Sequence, residues 1–108
     1  LRLTAGIWVS AYLARLRLAD VPAFVVRRGD TTAGAVLVKL NRLDGEATCF
    51  QRSFDLMSGE RRWIELTSGK EATVDEAIAR QCSFDPDLWV IEVESRAGRH
   101  LLDEPGLE

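Results

Sequence analysis

The spacing of apolar and polar positions changes several times along this chain, and each change predicts an element. Val9, Tyr12, Leu13, Leu16 and Ala19 recur at three- and four-residue steps, while Ser10, Arg15 and Arg17 fall between them. That period predicts a helix over residues 5–19 with Thr4 as N-cap; a strand over 1–8 is the alternative. Asp20-Val21-Pro22 stops the helix, because the residue before a proline is pushed out of the helical region. Residues 23–28 are short and apolar, as a strand would be, and 29–34 form a polar, glycine-flanked connection. Residues 35–41 then alternate, with Val36, Val38 and Leu40 on one side and Ala35, Leu37, Lys39 and Asn41 on the other. Asp44-Gly45 is the strongest hairpin signal, and 47–52 is the returning strand with Phe50 on its buried side.

Residues 53–60 are irregular, broken at Ser58-Gly59, and 61–67 read as a further strand that sets Trp63 and Glu65 against Ile64 and Leu66. Ser68-Gly69-Lys70 reads as a turn. Thr73 and Glu76 complete a capping box for a helix ending near Ser83, with Val74, Ala77, Ile78 and Cys82 on one face. Asp85-Pro86-Asp87 breaks the chain before a strand over 88–94, and Ala97-Gly98 turns into a short return strand over 99–102 with a loose tail beyond Asp103. The order α-β-β-β-β-α-β-β predicts one α+β domain with a mostly antiparallel sheet of about five to six short strands. Both helices are expected to cover the same face.

With the segments laid out, the chain resembles an alphaproteobacterial domain-of-unknown-function family of small single-domain proteins. The likeness rests on Gly6-Ile7-Trp8-Val9-Ser10-Ala11, Val26-Arg27-Arg28-Gly29-Asp30, Ala33-Gly34-Ala35-Val36-Leu37-Val38-Lys39 and Asn41-Arg42-Leu43-Asp44-Gly45. It continues through Arg61-Arg62-Trp63, Arg80-Gln81, Phe84-Asp85-Pro86-Asp87-Leu88-Trp89 and Arg99-His100-Leu101-Leu102-Asp103-Glu104. The resemblance implies a stand-alone domain and lends no catalytic residue, substrate or cofactor to these positions.

Composition narrows the function classes. At 108 residues with 46% hydrophobic and 29% charged side chains, the chain suits one globular domain that needs neither disulfide nor metal for its core. No apolar run approaches the ~20 residues of a membrane-spanning helix. The net charge of −3 argues against a nucleic-acid partner, whose phosphates favour a basic excess. All basic residues except Lys39 and Lys70 are arginine, the side chain best shaped to grip carboxylates and phosphates. Cys49 and Cys82 lack metal or redox spacing and, without a signal segment, point to the cytoplasm. The chain opens at Leu1 without a methionine, and Leu107-Glu108 resembles residues that precede a purification tag, so the domain is taken as 1–106 with 107–108 as an appended tail.

Candidate chemistry is sparse. No GxSxG, HExxH, P-loop or GxGxxG motif is present, which argues against catalysis, and neither a metal nor a cofactor is expected. Arg27 and Arg28 beside Gly29 suit a small anion, although neighbours on a strand face opposite ways and Asp30 suits a turn. Asp85 and Asp87 suit turn chemistry, and His100 is the only histidine. Arg61 and Trp63, two apart on one strand face, suit a guanidinium on an indole or a contact for a partner; Trp8 and Trp89 are expected in the core. The leading expectation is a cytoplasmic protein-interaction or regulatory domain that binds a protein partner or itself through a sheet face or edge, with Arg27, Arg28, Arg61, Trp63 and His100 as binding residues. The alternative is a small-anion-binding protein or enzyme using Arg27 and Arg28 with His100 and Asp85 or Asp87 in one pocket. RNA binding requires Arg27, Arg28, Arg42, Arg61 and Arg62 to form one stripe.

Overall fold

A computed structural model describes residues 3–107. The helix α1 (Ala5–Leu18) follows the predicted period and buries Ala5, Trp8, Val9, Tyr12 and Leu16 on one stripe. Thr4 stands at its N-cap but makes no side-chain cap hydrogen bond. Asp20, with φ of 59°, takes the left-handed turn that lets the chain reverse before Pro22. The strands are β1 (Ala23–Arg27), β2 (Val36–Asn41), β3 (Glu46–Phe54), β4 (Arg61–Lys70) and, after the helix α2 (Glu71–Phe84), β5 (Trp89–Glu94).

The five strands form one sheet in the order β1-β5-β2-β3-β4. β5 inserts between β1 and β2, antiparallel to the first and parallel to the second, and the other pairings are antiparallel hairpins. The fold is therefore α+β with a mostly antiparallel sheet, as the pattern predicts. The parallel pairing arises because β3, β4 and α2 together provide the long crossover that parallel neighbours need.

The structure corrects several expectations. The helices lie on opposite faces: Val38, Leu40, Ile91 and Val93 pack on α1, whereas Leu37, Cys49 and Val90 pack on Val74 and Ile78 of α2. A sheet covered on both sides explains why β2 buries four consecutive residues, Leu37 to Leu40. The predicted turn at 68–70 is instead the end of β4, where Ser68, Gly69 and Lys70 pair with Thr48, Ala47 and Glu46 past an irregularity in the register. Consequently α2 begins at Glu71, whose N–H donates to the Gly45 carbonyl at 2.9 Å, and the Thr73 capping box does not form.

The return strand at 99–102 is absent. Leu101 has φ of 63°, and both Leu101 and Leu102 are buried, so two successive side chains enter the core where a strand would alternate. Residues 99–107 run as an irregular strap over the α1 side. The Tyr12 hydroxyl donates to the His100 carbonyl at 2.7 Å, Arg15 to that of Pro105 at 2.8 Å and the Trp63 indole to that of Leu107 at 2.8 Å. Of the expected 107–108 tail, Leu107 is a core residue at 2% exposure and Glu108 lies outside the described residues, as do residues 1 and 2 of the alternative first strand.

Candidate functional site

The β3–β4 hairpin pairs Phe54 with Arg61 and therefore Arg52 with Trp63. Both of the latter face α1, where Trp8 meets them. The Trp8 and Trp63 rings are 5.2 Å apart between centroids, and the Arg52 guanidinium lies 5.1 Å from the first and 5.0 Å from the second. Each such contact with an aromatic face is worth about 0.5–2 kcal/mol, depending on how far water is excluded. Trp8 is stacked in turn on Tyr12 at 4.9 Å, so the cluster is braced from the core of α1. The Trp8 indole N–H is buried with no acceptor among the described residues.

This cluster borders a cleft of about 770 Å³ at the end of the sheet where β2 begins and β3 ends, lined among others by Trp8, Gly34, Arg52, Phe54, Arg61 and Trp63. That volume falls within the ~300–1,000 Å³ of small-molecule and side-chain binding sites. The cleft places the guanidinium groups of Arg52 and Arg61 beside apolar ring faces, side-chain chemistry of the kind that suits a carboxylate carried next to an apolar group.

The sequence-predicted residues distribute unevenly around it. Arg61 and Trp63 both line the cleft, but the guanidinium set over Trp63 belongs to Arg52 across the hairpin. Trp8 and Trp89 are core residues, at 4% and 3% exposure. Arg61, Trp63 and His100 share a smaller neighbouring cleft of about 320 Å³. The His100 ring packs against Phe50 in a tilted arrangement at 4.6 Å between centroids, and its Nδ1 accepts the Leu102 N–H at 2.9 Å. Burial holds its pKa below the usual 6.5, with Arg42 acting in the same direction and Asp103 opposing.

The folded state thus prefers neutral His100, whereas the unfolded chain takes up the proton near 6.5. Stability is expected to fall as pH drops below that value and to level off beneath the folded-state pKa. Thermal unfolding between neutral and mildly acidic pH should show this slope, and His100→Asn, which retains an acceptor for Leu102 but does not titrate, should flatten it.

Arg27 and Arg28 lie elsewhere. Arg27 donates to the Pro86 carbonyl at 3.1 Å, and the Arg28 guanidinium lies 5.4 Å from the Trp89 ring. Asp30 accepts the N–H groups of Thr32 at 3.2 Å and Ala33 at 2.8 Å, and Asp85 accepts that of Asp87 at 3.0 Å, so both acids close turns. The cleft around His100 contains none of Arg27, Arg28, Asp85 and Asp87. β1 and β4 are opposite edges, so Arg27 and Arg61 stand roughly 19 Å apart by four strand spacings of ~4.8 Å, while Arg42 follows the far end of β2. Neither the anion pocket nor the basic stripe is assembled among the described residues.

Two functional or structural centres escaped the sequence pattern. One is Arg52. The other is Lys39, at 5% exposure on the α2 face, whose Nζ lies 2.7 Å from Glu71, 2.7 Å from Asp75 and 3.3 Å from Glu92. Asn41 donates to both Glu71 and Glu92 at 3.2 Å. Burial works against the lysine charge, but the hydrogen bonds to Asp75 and Glu71 and the field of Glu92 outweigh it and raise its pKa above the usual lysine range. The group pins the first turns of α2 to β2 and β5.

The model of the family described as "Protein of unknown function (DUF1491)" matches residues 3–103. A crystal structure of a DUF1491 family protein from Caulobacter crescentus CB15 is 42% identical with a TM-score of 0.87, covering 96% of this chain and 98% of that one. An NMR structure of a DUF1491 family protein from the same organism is 42% identical with a TM-score of 0.83, covering 97% and 96%. The solution structure of protein Atu0922 from A. tumefaciens is 28% identical with a TM-score of 0.75, covering 88% and 87%. No curated protein matches. Among the described residues, no helix is long and apolar enough to cross a membrane. The shared fold, sequence and near-complete coverage make this chain a member of the DUF1491 family.

Proposed function

We propose that this chain is a small, non-catalytic protein-interaction domain whose cleft at Trp8, Arg52 and Trp63 takes a partner segment bearing a carboxylate beside an apolar side chain. The observation that carries this reading is the Arg52 guanidinium, held 5.1 Å from one indole and 5.0 Å from the other where they border the cleft. Arginine and tryptophan supply much of the energy at protein interfaces, because each combines a rigid flat surface with a polar handle. A guanidinium attracts a carboxylate through its charge and N–H groups, and the ring faces accommodate the apolar remainder. Arg61 adds a second positive charge to the lining.

A reducing, cytoplasmic setting belongs to the same proposal. Cys49 and Cys82 are free thiols, and burial, assisted by nearby Cys82 against the opposing field of Lys39, leaves the Cys49 pKa pushed up to about 12. Such a thiol serves packing rather than chemistry.

Selection of binding peptides from a random library tests the reading. The expected result is enrichment of sequences with Asp or Glu next to an apolar residue. Arg52→Met should weaken binding of the selected peptides by about ten-fold, the loss typical of a charge-assisted pair. Peptides without acidic residues, or peptides that bind Arg52→Met equally well, would overturn it.

A further inference from the structure

At the opposite edge of the sheet from β4, β1 has a single strand neighbour among the described residues, β5. Proteins generally guard such an edge with charge, because its outer row of N–H and C=O groups is a template for another strand. Here residues 21–26 carry no charge, and Phe24, Val25 and Val26 are 47%, 39% and 56% exposed. Pro22 offers no protection, since its carbonyl accepts the Glu94 N–H at 2.9 Å and so faces inward to β5. The alternation of an antiparallel ladder then turns the backbone N–H and C=O of Ala23 and Val25 outward, to the free side.

We infer that β1 pairs antiparallel with β1 of a second copy of this chain about a two-fold axis through Phe24, joining two sheets into one of ten strands. The register follows from the backbone. A two-fold axis at Phe24 sets Ala23 of one copy against Val25 of the other, so both outward-facing residues exchange N–H···O bonds on each side. The two Phe24 residues then meet as a non-hydrogen-bonded pair, the position where side chains approach most closely.

Charge selects a second copy over an unrelated strand. The uncharged segment is bounded by Asp20 before it and Arg27-Arg28 after it. Antiparallel self-pairing at this register carries Asp20 of each copy toward the arginine pair of the other, twice by symmetry, whereas parallel pairing would bring like charges together. The register irregularity between Val25 and Arg27 limits the ladder to these few residues, so the association is reversible. This inference concerns the edge away from the carboxylate cleft and stands independently of it.

Sedimentation of the full chain over a range of concentrations tests the pairing. The expected result is a dimer fraction that rises with concentration from the 12.0 kDa monomer. Val25→Pro deletes an outward N–H without taking a bond from β5 and should abolish the dimer. Arg28→Glu, on an exposed side chain, should weaken association by about ten-fold or more, and adding Asp20→Lys should restore it. Unchanged circular dichroism will establish that each variant is folded. A single 12.0 kDa species at every concentration, or folded Val25→Pro and Arg28→Glu chains that dimerise like the parent, would overturn the inference.

Discussion

Gly29→Ala should cost about 3 kcal/mol or more, lowering the midpoint of thermal unfolding by on the order of 15 °C. A Cβ at this position would overlap the Asp87 carbonyl oxygen and would lie 2.6 Å from Cδ1 of Trp89 and 2.8 Å from the Leu88 carbonyl carbon. Two of these neighbours are backbone atoms that cannot swing aside, and the indole is fixed by its own hydrogen bond to the Asp30 carbonyl at 2.7 Å. Gly34 is equally confined: its Cβ would overlap the same Asp87 oxygen and lie 2.7 Å from that of Asp30. The two glycines let the 28–35 loop close onto the 85–88 segment, where the Asp30 N–H donates to Asp87 at 3.0 Å. Gly34 also lines the large cleft, so this loop forms part of the wall of the proposed binding surface. Gly59 supplies the control. It has φ of 75°, but a Cβ added there would meet nothing within 4 Å among the described residues, so Gly59→Ala should cost only about 1 kcal/mol, from backbone strain alone. Chemical denaturation of the three variants measures the contrast, and equal losses at Gly29 and Gly59 would contradict it.

Lys39→Met should cost about 2–4 kcal/mol, below the ~3–5 kcal/mol for breaking a fully buried pair because two partners are half exposed. Methionine nearly preserves the volume of the lysine stem, so the loss reports the ammonium group rather than a cavity. Glu92, with 14% of its side chain exposed, bears most of the penalty, since Asn41 is the remaining donor to it among the described residues. Combining Lys39→Met with Glu92→Gln should therefore cost less than the sum of the single changes. Lysine's contribution is complete at neutral pH and is lost only as alkaline pH approaches its raised pKa. Amide hydrogen exchange should show α2 loosening first in Lys39→Met; uniform protection with stability within about 0.5 kcal/mol of the parent would contradict this assignment.

What could be read from the sequence was local. The β2–β3 hairpin was legible because alternation on both arms surrounds Asp44-Gly45, and the turn indeed uses Gly45 at φ of 90°. α1 was legible because its buried stripe is continuous. α2 was located, but only Val74 and Ile78 are fully buried on it, too little pattern to reveal which face it covers. The insertion of β5 beside β2 is a long-range choice that leaves no local mark. Lys39 belongs to the same limit: alternation put it with Leu37, while its burial depends on α2 arriving on that face.

The candidate site was half legible for a similar reason. Arg61 and Trp63 stood out as a pair on one strand, yet Trp63 is matched across the hairpin with Arg52. A signal existed. Closing a hairpin about Ser58-Gly59 so that Phe54 meets Arg61 sets Arg52 opposite Trp63 by counting alone. The third member, Trp8, required the orientation of α1. The strap was hidden because Leu101 adopts φ of 63°, which neither alternation nor turn chemistry announces for leucine.

The three tryptophan indoles provide a direct test of the proposed carboxylate-binding cleft, because Trp8 and Trp63 line it while the Trp89 indole is engaged at Asp30. In a nuclear magnetic resonance titration with a selected acidic peptide, the indole N–H signals of Trp8 and Trp63 and the Nε–H signal of Arg52 should shift together and saturate, with Trp89 unmoved. Shifts centred on Trp89, Arg27 and Arg28, with Trp8, Arg52 and Trp63 unchanged, would place the peptide elsewhere and contradict the proposed cleft.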